Sequence, residues 1–185
     1  MKLPIVAYGD PVLRKVCTEI AQDYPDLTQL INNMFDTMYA ASGVGLAAPQ
    51  VGLPIRLFIV DIGGEEDDES FKKVFINAQI LEETGEPWSF NEGCLSIPEV
   101  REDVFRKPNV RIKYFDENWK AHEIEVSGMP ARVIQHEYDH IQGKLFTDTL
   151  SLLRKRMLKS KLDAIAKGDI KTDYKMKYPQ QRKRR

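Results

Sequence analysis

The chain has 185 residues and a mass of 21.3 kDa, which suits one domain with its own core. Hydrophobic residues make up 42% and charged residues 30%, near the globular norm, so a wholly disordered or collagen-like chain is excluded. The net charge of −1 is unevenly divided: Ser151 to Arg185 carry 13 Lys and Arg against 3 Asp, a balance of +10, which leaves −11 on the rest. An acidic body with a basic C-terminal segment fits a segment that meets something anionic, or simply a solvated helix. No apolar run approaches the ~18 residues of a spanning helix. MKLPIVAYGDP lacks the apolar stretch of a signal peptide. The two cysteines, Cys17 and Cys94, make no disulfide framework. A cytoplasmic protein without a membrane or DNA partner is expected.

In chain order, the first helix signal starts after Asp26, a candidate N-cap, with Leu27, Leu30, Ile31, Met34, Phe35 and Met38 on one stripe. The pattern breaks at Ser42-Gly43, and GVGLAAPQVG (43–52) is too glycine-rich for a helix interior. Ile55–Asp61 reads as a buried strand. GGEEDDES (63–70) reads as an acidic hairpin loop facing water, and Phe71–Ile76 as the return strand. Ile80–Ser89 reads as another strand. Val110–Tyr114 and Ile124–Val126 flank a turn at Asp116-Glu117-Asn118. A helix from about Pro130 to Gln142 stops at Gly143, and a last helix between about Leu152 and Ala166 stops at Gly168. The lysine- and arginine-rich end beyond it reads as a tail without structure. Residues 1–168 then form one domain and residues 169–185 a basic tail. Strands with segregated helices predict an α+β fold.

The chemistry concentrates in QHEYDH. His136 and His140, two of three histidines, are four apart on the predicted helix, so both imidazoles reach one metal ion. Glu137 lies about 100° round the helix, beside the metal. This is the HExxH arrangement of two ligands and a carboxylate base. A catalytic site needs a third ligand. A metzincin histidine would fall at position 146, which is Phe146, and no Glu follows Glu137. Cys94, in the turn-like ENEGCLSIP, is the best upstream candidate, because a thiolate is a strong soft ligand. Cys17 reads as a small buried hydrophobe, and His122 as structural.

GVGLAAPQVG (43–52), EGCLSIP (92–98) and QHEYDHIQGKLF (135–146) together resemble the three signature segments of peptide deformylases, in order and spacing. YGDPVLRKV (8–16) and RKPNV around Pro108 add to the likeness, which covers residues 4 to 150. The resemblance implies an α+β domain with β-sheets packed around a central HExxH helix, and a C-terminal helix. It implies an enzyme that removes the N-terminal formyl group from formylmethionine of new polypeptides, releasing formate. Cys94, His136 and His140 would hold one divalent metal per chain, ferrous iron, with zinc or nickel as alternatives. Glu137 would move the proton, and the Gln50 amide and Leu95 N–H would serve the oxyanion. Gly43, Val44, Gly45, Leu46 and Gly93 would bind an extended substrate, with Val44, Glu92, Arg132 and Val133 at its methionine pocket and Arg101 near its downstream backbone. Arg132 stands where the family usually has an apolar residue; it pairs with a carboxylate such as Glu92, or carries its head to solvent. Partners implied are N-formylmethionyl peptides and nascent chains, with ribosome contact through the basic C-terminal segment.

Three rivals have different requirements. A metallopeptidase cutting internal bonds needs HExxH and a third ligand but neither of the other two segments. A non-enzymatic protein with a structural zinc and an RNA-binding tail needs a fourth ligand, for which Cys17 is the candidate. A relative acting on another amide, or inactive, is opposed by intact Gln50, Cys94, Glu137 and both histidines.

Overall fold

The computed structural model describes residues 1–63 and 71–179. Most of the acidic loop expected at 63–70, and the last six residues, lie outside the described residues. Among the described residues no helix is long and apolar enough to cross a membrane. The chain opens with a short strand, β1 (Ile5–Val6), and reaches helix α1 (Leu27–Ala40). Asp26 precedes α1 as expected, but with φ 54° and no side-chain cap. Its carbonyl instead accepts the Leu30 N–H at 2.9 Å.

After α1 come β2 (Gly45–Ala47), a 3-10 turn (Ala48–Val51) and β3 (Leu57–Ile62). The next strand corrects the sequence reading. Phe71–Ile76 and the start of Ile80–Ser89 are one strand, β4 (Phe71–Thr84). The break in the pattern is a bulge: Asn77 has φ 51° and the register with its neighbour shifts between Ile76 and Gln79. The Asn77 side chain fills that bulge, accepting from Ile20 N and donating to Ile20 O at 3.0 and 2.8 Å.

A hairpin absent from the sequence reading follows, β5 (Trp88–Cys94) and β6 (Ile97–Arg106). Then β7 (Asn109–Phe115), β8 (Ala121–Ser127), α2 (Gly128–Ile141) and α3 (Leu152–Lys167) match the expected elements within a few residues. Gly168 stops α3 at φ 78°. The tail expectation is corrected for residues 169–179: Met176–Lys177 forms β9, parallel to β1.

Five strands form one antiparallel sheet in the order β2-β3-β4-β7-β8. Alternation along β3 makes it two-faced. Leu57 and Ile59 join Ile31, Met34 and Met38 of α1. Phe58 and Val60 join Ala131, Ile134 and Ile141 of α2 on the other side. Each Val, Leu, Ile, Phe or Met side chain among them, once fully buried, contributes about 1.5–3 kcal/mol. A third cluster packs α3 and Phe146 against β1 and β6. The HExxH helix is therefore clamped between the large sheet and the β5–β6 hairpin, and that position builds the site.

Candidate metal centre and substrate cleft

Helix α2 has Pro130 in its first turn, and Gly143, φ 70°, follows two residues after its end at Ile141. A Cβ at Gly143 would lie 2.7 Å from the Arg14 carbonyl oxygen, so the stop also admits the N-terminal segment. Four residues of helix bring His136 and His140 together, with ring centroids 5.1 Å apart. Cys94 reaches them from the end of β5. One donor atom each of Cys94, His136 and His140 falls within 4.8 Å of the others. Cys94 Sγ and His140 Nε2 are 3.3 Å apart, near the ~3.6 Å expected for sulfur and nitrogen ligands on one tetrahedral ion. His136 Nδ1 faces Glu92 Oε2 at 3.0 Å, which leaves Nε2 for a metal, the usual support of a ligating histidine. The donor set fits a single divalent ion of borderline softness.

Glu137 is buried beside these ligands, and its Oε2 has no protein partner among the described residues. Burial pushes its carboxyl up to about 7, against the pull of His136 and Arg106. A Cβ at Gly45 would collide with this carboxylate, so β2 needs glycine there. Gln50 is equally fixed. Its Oε1 accepts the Ala47 N–H at 2.9 Å, which orients the amide, and Nε2 lies 3.4 Å from Cys94 Sγ and 3.3 Å from Ser96 Oγ. Leu95 follows Cys94 in the turn of the β5–β6 hairpin. A Cβ at Gly43 would stand 2.8 Å from Leu95 Cδ1, so the two signature segments touch through the absent side chain.

Behind His136 lies a charge cluster. Glu92 accepts from Arg106 Nε and Arg132 Nη1, each at 2.7 Å, and Arg106 Nη1 donates to Asp139 at 2.7 Å. Two carboxylates thus meet two guanidinium groups. Although burial disfavours its charge, the bonds from His136 and Arg106 hold the Glu92 carboxyl well below the usual range. Arg132 is only 2% exposed, stacks over Trp88 with 4.2 Å to the ring centroid, and donates to the Trp88 and Val104 carbonyls. Of its two expected fates, pairing with Glu92 is the one observed. The sequence reading gave Arg106 no role. RKPNV pointed to it as a motif, but its partners lie 14 and 33 residues away and carry no spacing signal.

A cleft of about 780 Å³ opens over Cys94, His136 and Glu137, walled by Gly43–Gly45, Gln50, Glu92–Leu95, Arg132 and Val133. Arg101 sits on its rim, folded over Gly93 toward Asn91. His140 is buried below the floor. The Leu46 side chain is fully buried with Met34 and Met38, which leaves only its main chain on the strand edge for a substrate. The period of two that turns Gly45 toward Glu137 turns Leu46 into the core. Strand β2 is an edge of the sheet, so its outer side faces the cleft. Cys17 lies in the core between sheet and α2, its thiol pushed up to about 11 by burial, and is not part of the metal cluster. His122 pairs with Asp116 at 2.7 Å and stacks on Tyr114, away from the site, as read.

The family model for polypeptide deformylase matches residues 2–156. The peptide deformylase of Christiangramia forsetii is 61% identical over the full length of both chains. A crystal structure of a peptide deformylase from Legionella pneumophila has a TM-score of 0.80 at 42% identity, covering 88% of this chain and 94% of that one. The Met-Ala-Ser-bound class I type b peptide deformylase of Acinetobacter baumannii has a TM-score of 0.74 at 33% identity, covering 81% of this chain and 99% of that one.

Proposed function

The chain belongs to the polypeptide deformylase family, and from that premise we propose how its residues carry out the family's reaction. The enzyme removes the N-formyl group from formylated peptides, giving formate and a free amine. Cys94, His136 and His140 hold one divalent ion, ferrous iron in the cell, with zinc or nickel as substitutes. When bound, that ion supplies Lewis-acid polarisation of the formyl oxygen and acidifies the attacking water.

Glu137 takes the proton from the attacking water and passes it to the leaving amine nitrogen. Its burial and the free Oε2 beside the three ligands suit it to that transfer. Gln50 Nε2 and the Leu95 N–H donate to the oxygen as it gains charge. An extended peptide lies along the free edge of β2, opposite Gly93, held by main-chain hydrogen bonds. Its methionine side chain enters the space bounded by Val133, Val44 and the Arg132–Glu92 pair, and Arg101 faces the peptide downstream. The relative solved with Met-Ala-Ser supports a short methionyl peptide as the occupant. Formylmethionyl nascent chains are the natural source, in the cytoplasm, and the basic C-terminal segment offers phosphate contacts to ribosomal RNA.

The observation that carries the scheme is the convergence of three ligand atoms within 4.8 Å beside the buried, unpartnered Glu137 oxygen. The test is formate release from formyl-Met-Ala under nitrogen, with iron or nickel supplied, comparing wild type with Glu137→Ala. We expect robust release, lost by at least ~10³-fold in the variant with metal still bound. Metal analysis of the anaerobic preparation should read one iron per chain. Retained activity in Glu137→Ala would remove the proton-transfer assignment.

A further inference from the structure

We propose that Tyr174, on the C-terminal segment beyond the family match, is a positioning residue that aims the Leu95 N–H at the reacting oxygen. The segment after Gly168 is not a loose end. Ile5 N and Ala7 N donate to Lys175 O and Lys177 O at 2.8 and 2.9 Å, so β9 is laced to β1. The Tyr178 ring covers Gly168, where a Cβ would stand 3.0 Å from it. Between these anchors, Lys171 to Tyr174 form one wall of the cleft that holds Cys94 and Glu137.

From that wall the Tyr174 hydroxyl donates to the Leu95 carbonyl oxygen at 2.8 Å. The next carbonyl, of Ser96, accepts the Tyr8 N–H at 2.8 Å. Both carbonyls of the two-residue turn after Cys94 are therefore pinned, one by each end of the chain. The turn links a metal ligand to β6, and the orientation of its peptide units follows the φ and ψ of Leu95. The Leu95 carbonyl and N–H lie in adjacent peptide planes hinged at the Leu95 Cα, so releasing the carbonyl unfixes one plane and lets the other, which carries the N–H, turn about φ of Leu95. Hydrogen bonds weaken steeply with misalignment, and an oxyanion donor acts only when already aimed. The Tyr174 ring packs against the α1–β2 cluster, so the hydroxyl rests on a fixed base. The match to the family model ends at residue 156. The strap thus adds support to a site that the matched core already builds.

This inference rests on the proposed role of the Leu95 N–H. The test is Tyr174→Phe in the full-length enzyme, which keeps the ring and removes one hydrogen bond. Steady-state kinetics are paired with the amide resonances of Leu95 and Ser96 in zinc-loaded protein. Expected are a fall in kcat of about tenfold, less than the ~10²–10³ for deleting a donor outright, KM within twofold, unchanged metal content, and faster amide exchange confined to the turn. Shifted amides with unchanged kcat would sink the Leu95 assignment and this inference with it. Unchanged amides and unchanged kcat would overturn the inference alone. A fall in kcat that comes with lost metal or a general loss of thermal stability would mark Tyr174 as a packing residue and overturn it too.

Discussion

Glu137 occupies the space where any Cβ at position 45 would stand, and Glu137 is itself only 4% exposed. Gly45→Ala must displace either the strand or the carboxylate. Displacement of a reacting group by ~1 Å costs on the order of 10²-fold in rate, so kcat/KM should fall by about that factor. Metal content should stay at one per chain, since none of the three ligands is touched. Activity within threefold of wild type would mean that the carboxylate has room to yield. At this scale the sequence was most legible where helical spacing did the work: His136, Glu137 and His140 are set by 3.6 residues per turn. The direction of the Leu46 side chain was less legible: a strand alternates its faces, so it enters the core while its main chain stays on the edge.

Among the elements, α2 and the β5–β6 hairpin meet through charge rather than apolar surface. Glu92 on β5 bonds Arg106 on β6 and Arg132 and His136 on α2. The cluster balances itself, and removing one member leaves buried charge without a partner, at a cost of about 3–5 kcal/mol. Glu92→Gln should therefore lower unfolding free energy in urea by that amount. Adding Arg132→Met, of similar length, should restore part of it, because one stranded guanidinium is removed with its partner. A loss under ~1 kcal/mol in the single variant, or strict additivity in the double, would show the cluster to be uncoupled. The hairpin itself escaped the sequence reading. In Trp88–Cys94 the half-buried Trp88 and Phe90 share a face with the buried Glu92, while Ser89 and Asn91 are exposed, and a glutamate at a buried position breaks the apolar signal of that face. The β4 bulge hid for a similar reason: Asn77 interrupts the apolar run, but its side chain satisfies the Ile20 backbone.

For the whole molecule, the ends of the chain are stitched to its middle. The charge division was legible from composition, but the strap was not, because a run of alternating lysines reads as solvated until β1 supplies a partner. A second stitch lies at Asp148, between α2 and α3. Its carboxylate accepts from Arg14 Nη1 and Nη2, at 2.6 and 3.1 Å, and from the Leu145 N–H at 2.9 Å. Partial burial opposes ionisation here, yet the Arg14 and Leu145 bonds prevail and hold the carboxyl below its ordinary value. A carboxyl with a depressed folded-state pKa contributes stability above its unfolded pKa of ~3.9, and that contribution is lost as pH falls through the folded value. Both partners are more than a third exposed, so solvent screening limits the contribution to under about 1 kcal/mol, or at most ~4 °C in Tm for a chain this long. Asp148→Asn keeps an acceptor for Leu145 and removes the charge. Its Tm should lie a few degrees below wild type from pH 5 to 8, and the two curves should converge as pH drops below about 4. Curves that stay parallel down to acid pH would show the difference to be independent of the carboxylate's charge, and the Arg14–Asp148 pairing would then contribute nothing to stability.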